Sequence, residues 1–141
     1  MLPTDGKPVR GLIQDSVVSG VFLSSKDTFL TRDEYMQLVY AGLRELIGEN
    51  KIKRVQTLPP TVIKPKTLWT GKQVITTVLK NIVTSGMSQK EIKRQSKLCG
   101  MNIDSKSKLP ASAWGYVGVD KNGKQKEVEE GVVIIRDNEL L

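Results

Sequence analysis

The chain has 141 residues, 38% hydrophobic and 26% charged, with a net charge of +7; this suits one folded domain rather than a disordered tail, with about two-thirds of the unfolded surface buried. The absence of histidine and the single cysteine, Cys99, exclude Ser-His-Asp and Cys-His catalysis, histidine metal sites, multi-cysteine zinc and an internal disulfide framework. No apolar run approaches the roughly 18 to 20 residues that cross a bilayer, and the N-terminus lacks the apolar core of a signal peptide, so a cytoplasmic or nuclear protein without membrane contact is expected.

Residues 1–10, with Pro3 and Pro8, read as an extended lead-in. From Gly11 onward, Leu12, Ile13, Val17, Val18, Val21 and Phe22 recur at helical spacing and predict a partly buried helix. Gly20 and the valines lower its propensity, so packing has to sustain it. Thr31-Arg-Asp-Glu34 is a capping box, and Asp33 and Glu34 suit the positive end of a helix dipole. The helix it opens is predicted over 32–47, with an apolar stripe of Tyr35, Leu38, Val39, Leu43, Leu46 and Ile47 and a stop at Gly48.

Ile52 and Val55 alternate in a charged connector and predict a short edge strand. Pro59 and Pro60 forbid helix and favour an extended path into Thr61-Val-Ile63. Thr70-Gly-Lys-Gln73 repeats the capping pattern with glutamine in place of glutamate. Val74, Ile75, Val78, Leu79 and Ile82 then predict the buried stripe of a third helix ending near Asn81.

Residues 84–108 are polar and predict a flexible insertion, a loop with one short exposed helix, within a single domain spanning 1–141. Ser112 to Val119 reads as a strand and Asp120 to Gly123 as a turn. Gly131 to Arg136 is a β-branched strand, Asp137-Asn138 a two-residue turn, and Glu139 to Leu141 the start of the returning strand. The fold class expected is α+β: about three helices packed with a small antiparallel sheet that includes a C-terminal hairpin cut short, its Val132–Ile135 strand open along one edge.

Candidate chemistry is sparse. Gly71-Lys72 invites comparison with a Walker phosphate loop, but Lys66 stands where that loop needs its first glycine and Gln73 where it needs Ser or Thr. A capped helix with a solvated lysine is the preferred reading over an anion site at that helix start. Trp69 reads as a core anchor; Trp114 and Tyr116, which alternate on one strand face, read as packing rather than base stacking. Asp15, Asp27, Asp33, Asp104, Asp120 and Asp137 are scattered singly, and Glu127, Glu129 and Glu130 read as solvated charges. No metal or cofactor site is expected. Basic residues are interspersed with acids, which permits proximity to nucleic acid without requiring it.

The run Leu58-Pro-Pro-Thr-Val-Ile-Lys-Pro-Lys-Thr-Leu-Trp-Thr-Gly-Lys-Gln73, with Arg10-Gly-Leu-Ile-Gln-Asp15 and Asp27-Thr-Phe-Leu-Thr-Arg-Asp-Glu34, resembles the largest subunit of eukaryotic DNA-directed RNA polymerases. Pro3 to Asp15, followed by Ser16-Val-Val-Ser-Gly-Val21, looks most like polymerase I. The likeness is dense over residues 2–82 and clear over 132–141; Lys108 to Trp114 is also similar to a polymerase I stretch. It implies the pore domain of that subunit, lining the channel through which nucleotides enter and the RNA 3′ end is extruded during ribosomal RNA synthesis. Lys64, Lys66 and Lys72 are then the basic residues expected to face the channel. It further implies a nuclear, nucleolar assembly whose partners are other polymerase subunits, nascent RNA, nucleotides and, through the complex, template DNA. The catalytic aspartates and their magnesium would lie outside this chain, so no catalysis by the fragment alone is expected. The equivalent fragment of polymerase III and a free-standing basic RNA- or DNA-binding module are the alternatives.

Overall fold

The computed structural model describes residues 3–6, 9–52, 54–84, 102–106, 121–123 and 132–141. Expectations for Cys99, Trp114, Tyr116 and Glu127 to Glu130 fall outside these residues. Among the described residues the elements run α1 (Asp15–Ser24), β1 (Phe29–Leu30), α2 (Arg32–Gly48), β2 (Trp69–Thr70), α3 (Gly71–Val83), β3 (Ile103–Lys106), β4 (Val132–Arg136) and β5 (Glu139–Leu140). Strands β1 and β2 pair antiparallel, and β3, β4 and β5 form a second antiparallel sheet with β4 in the centre. The α+β class is as expected, with two small sheets in place of one. No described helix is long and apolar enough to cross a membrane.

Both capping boxes form. The Thr31 hydroxyl accepts from the Glu34 amide, and the Glu34 carboxylate accepts from the Thr31 amide at 2.8 Å. Those bonds from Thr31 hold the Glu34 carboxyl below the usual glutamate range. Helix α2 runs through Gly48 and ends one step later than predicted. The left-handed residue that closes it is Asn50 (φ 55°), with Asn50 N–H donating to Ile47 O and Lys51 N–H to Leu46 O. That pair of bonds is a Schellman closure, and asparagine tolerates the conformation it needs.

The core lies where α2 crosses α3 and β2. Tyr35, Val39 and Leu43, four residues apart, bury one face of α2 against Trp69 and Val74. The Tyr35 and Trp69 rings stack with centroids 5.3 Å apart. A Cβ on Gly42 would stand 3.0 Å from the Val78 side chain, so the absence of one lets α2 and α3 approach closely. Ile52 and Val55 pack against this core from an irregular segment rather than the predicted edge strand. Their alternation reflects two side chains dipping inward, without a neighbouring strand to pair with.

The buried face of α3 differs from the predicted stripe. Thr76, Thr77 and Asn81 are buried, whereas Ile82 is 43% exposed. Each buried polar group has a partner, as burial demands. Thr77 Oγ1 shares a 2.7 Å hydrogen bond with the Tyr35 hydroxyl and donates to Gln73 O. The Asn81 side chain accepts from Gln56 N–H and donates to Gln56 O, both at 2.9 Å, reproducing the pairing of a neighbouring strand. Thr76 Oγ1 accepts from Leu140 N–H at 3.0 Å.

Helix α1 forms, but its apolar side chains are not buried: Val17, Val18, Val21 and Phe22 are 49% to 70% exposed, and Leu12 and Ile13 precede the helix and are more exposed still. It rests on α3 through its other side, where Leu23 O approaches Gly71 so closely that a Cβ there would stand 1.7 Å away.

The hairpin at the C-terminal end has the predicted turn. Asp137 and Asn138 take φ of 49° and 65°, the two positive values of a type I′ turn. On the hairpin side β5 pairs with β4 only at Ile135↔Leu140 and Arg136↔Glu139, the short return expected, while the opposite edge of β4 is covered by Ile103–Lys106 in the register Ile103↔Ile135 to Lys106↔Val132. Those four residues lie in the stretch whose sequence predicts a polar loop; all four are exposed, and no apolar alternation marks them as a strand.

Candidate functional site

The chain from Leu58 to Gln73 is organised by hydrogen bonds to its own ends. Trp69 Nε1–H donates to Leu58 O at 2.9 Å, and Leu58 N–H donates to the Tyr35 hydroxyl. Gln73 Oε1 accepts from Thr70 N–H while its Nε2–H donates to Pro59 O at 2.9 Å. Glutamine therefore does what glutamate in the same capping position cannot, since a carboxylate has no donor for Pro59. Val62 and Leu68 exchange both backbone hydrogen bonds, at 3.1 and 2.9 Å, and close a narrow loop over residues 63–67. The Lys64–Pro65 peptide within it is cis.

Lys64 and Lys66 are both exposed on this loop. Lys72, on the first turn of α3, is half-buried and donates from Nζ to Leu141 O at 3.0 Å. The structure thus brings two of the three expected lysines onto one loop and engages the third with the C-terminal hairpin. Lys80 extends that engagement through an ion pair with Glu139 at 3.3 Å. With one partner about a third exposed and the other about half, this pair contributes little by itself; its effect is to orient β5.

Among the described residues no group of three or more carboxylate or cysteine side chains converges on a point where a metal ion could sit. The arrangement consists of a rigid base, Trp69 stacked on Tyr35 with α3 behind it, and a short loop that projects two positive charges. It can exert an electrostatic pull on anions. The capping role of Gln73 is legible in the sequence, whereas its bond to Pro59 and the roles of Asn81 and Thr76 are not. For the Pro59 bond the available signal is the amide at the third helical position two prolines downstream; for the other two, the partners are distant in the chain.

The family model for RNA polymerase Rpb1, domain 3, matches residues 1–141, and the chain belongs to that family. It is similar to the RPA190 subunit of DNA-directed RNA polymerase I of Saccharomyces cerevisiae, 41% identical over 141 residues, which are 100% of this chain and 7% of that protein. The Drosophila melanogaster polymerase I subunit RPA1 is 36% identical over 136 residues, 96% of this chain and 8% of the relative. The human polymerase III subunit RPC1 is 37% identical over 78 residues, 55% of this chain and 5% of the relative. The likeness to polymerase I largest subunits therefore spans the whole chain, and this chain spans less than a tenth of the curated relatives it matches.

Proposed function

We propose that this chain is the pore-lining part of an RNA polymerase I largest subunit, acting in the nucleus and nucleolus within the multisubunit enzyme that copies template DNA into ribosomal RNA. The observation that carries the reading is the family match over residues 1–141, together with polymerase I relatives that align over the same span. The basic loop at Lys64 and Lys66 suits a channel wall: positive charge there raises the local concentration of nucleoside triphosphates and favours passage of the RNA 3′ end by electrostatic focusing. The role is positional, and phosphoryl transfer belongs to aspartate-bound magnesium elsewhere in the parent enzyme, so the chain alone transfers no nucleotide.

The test is kinetic. With Lys64→Glu and Lys66→Glu together in the full-length subunit of the assembled polymerase, the apparent KM for nucleotides should rise several-fold at low salt. The rate at saturating nucleotide should hold, and the difference should shrink as added salt screens the field. An unchanged KM at low salt would remove these lysines from the nucleotide path. The polymerase III reading is the weaker one, because its relatives align over only about half of the chain, 55%.

A further inference from the structure

Helix α1 is the one described helix with no buried residue. Val17 with Val21, and Val18 with Phe22, form two i, i+4 pairs side by side, so the four side chains make a continuous apolar strip. Beside the strip lies an open groove of about 580 Å³ between α1, the following turn and α2, lined by Phe22, Leu23 and Leu38 together with Asp27 and three hydroxyl side chains. A strip of this kind left in water is unusual for a helix held in place by packing.

We infer that this strip is a docking face for an apolar segment of the parent subunit's own polypeptide lying outside these 141 residues. Three observations select that occupant. First, the helix carries one charged residue, Asp15, and no basic one, so the strip offers nothing to a phosphate backbone. Second, its ten residues make a rod about 15 Å long and about 10 Å across, a footprint of roughly 150 Å². A stable contact between free proteins buries about 800 Å² per partner. A second copy of the chain would gain too little there, whereas a segment of the same polypeptide meets the strip at high effective concentration. Third, relatives extend the chain more than tenfold, since it covers 7% of the yeast subunit, so the required polypeptide exists in the parent. The inference rests on the family assignment and is separate from the channel reading, because the strip shares no residue with the Lys64–Lys66 loop.

Hydrogen exchange of residues 16–24 in the assembled polymerase and in the 141-residue chain tests it. The α1 amides should exchange at least tenfold more slowly in the polymerase; equal rates would overturn the proposal. Val18→Asp with Phe22→Asp in the full-length subunit should abolish that protection and lower recovery of assembled enzyme several-fold, while the same pair leaves the melting temperature of the 141-residue chain unchanged. A doubly substituted subunit that assembles and exchanges like the parent would also overturn it. Val18→Cys, a small change, keeps the test open if the aspartates prevent assembly: its thiol should react with a maleimide in the chain alone and resist it in the polymerase, and equal reactivity in both would overturn the docking face. If the 141-residue chain self-associates, and the aspartate pair abolishes both that association and any protection, the occupant is a second copy and the intramolecular assignment fails.

Discussion

Asn81 carries three hydrogen bonds from a side chain 3% exposed, two of them to the backbone of Gln56 and one to Thr77 O. Asn81→Leu preserves most of the volume but none of the bonds, leaving Gln56 N–H and C=O partly desolvated. A loss of about 1 to 3 kcal/mol in urea unfolding is expected; a neutral or stabilised variant would mean that apolar packing at this position outweighs the bonds. Glu34 sets a different kind of residue-scale dependence. Its bonds to Thr31 lower the folded-state pKa, so its contribution is complete above the unfolded glutamate value, about 4.3, and is lost as pH falls through the lower folded value. Glu34→Gln should therefore flatten the acid side of the stability–pH profile. An acid limb identical to that of the parent chain would show that the capping box carries none of it.

Between elements, the closest approach at a described glycine is α1 on α3. Because a Cβ at Gly71 would stand 1.7 Å from the carbonyl oxygen of Leu23, a backbone atom, Gly71→Ala cannot be accommodated by rotating a side chain. The whole end of α1 must move, at a cost of about 1 to 3 kcal/mol, and the amide resonances of residues 19–25 should shift while those of α2 stay in place; unperturbed α1 resonances would refute so close an approach. Elements whose signals are local were legible in advance: Thr31 with Glu34, Thr70 with Gln73, and Asp137-Asn138 each specify their geometry within four residues. What was not legible depended on distant partners. Thr76, Thr77 and Asn81 looked like the solvent side of α3 because the groups that satisfy them, Leu140, Tyr35 and Gln56, lie 64, 42 and 25 residues away. The strip on α1 was legible as a face, but periodicity cannot say what covers a face. Ile103–Lys106 gave no strand signal because β4 supplies its order through backbone pairing. At the candidate site, the extended path into Thr61–Ile63 is legible in Pro59 and Pro60, whereas the narrow loop closed by Val62 and Leu68 is not, and the bond from Lys72 to Leu141 spans 69 residues and has no local trace.

For the whole molecule, the charge of +7 is distributed rather than gathered. Single-stranded RNA should therefore bind the chain weakly in low salt and be released as salt rises, the response expected when phosphate contacts provide the affinity. A salt-insensitive, sequence-selective complex in a fluorescence assay would favour the free-standing nucleic-acid-binding module. Among the described residues, α3 ties the two ends of the fold together. Helix α3 carries the Lys64–Lys66 loop at its start through Gln73 and Pro59, and receives β5 along its flank through Thr76, Lys72 and Lys80.

The polypeptide therefore departs from α3 at Thr84 and comes back to the same helix at Glu139–Leu141. The separation between departure and return is set by the helix and does not depend on how many residues are spent in between. Both ends of that excursion are thus fixed by one helix, so a displacement of α3 carries the Lys64–Lys66 loop and β5 with it.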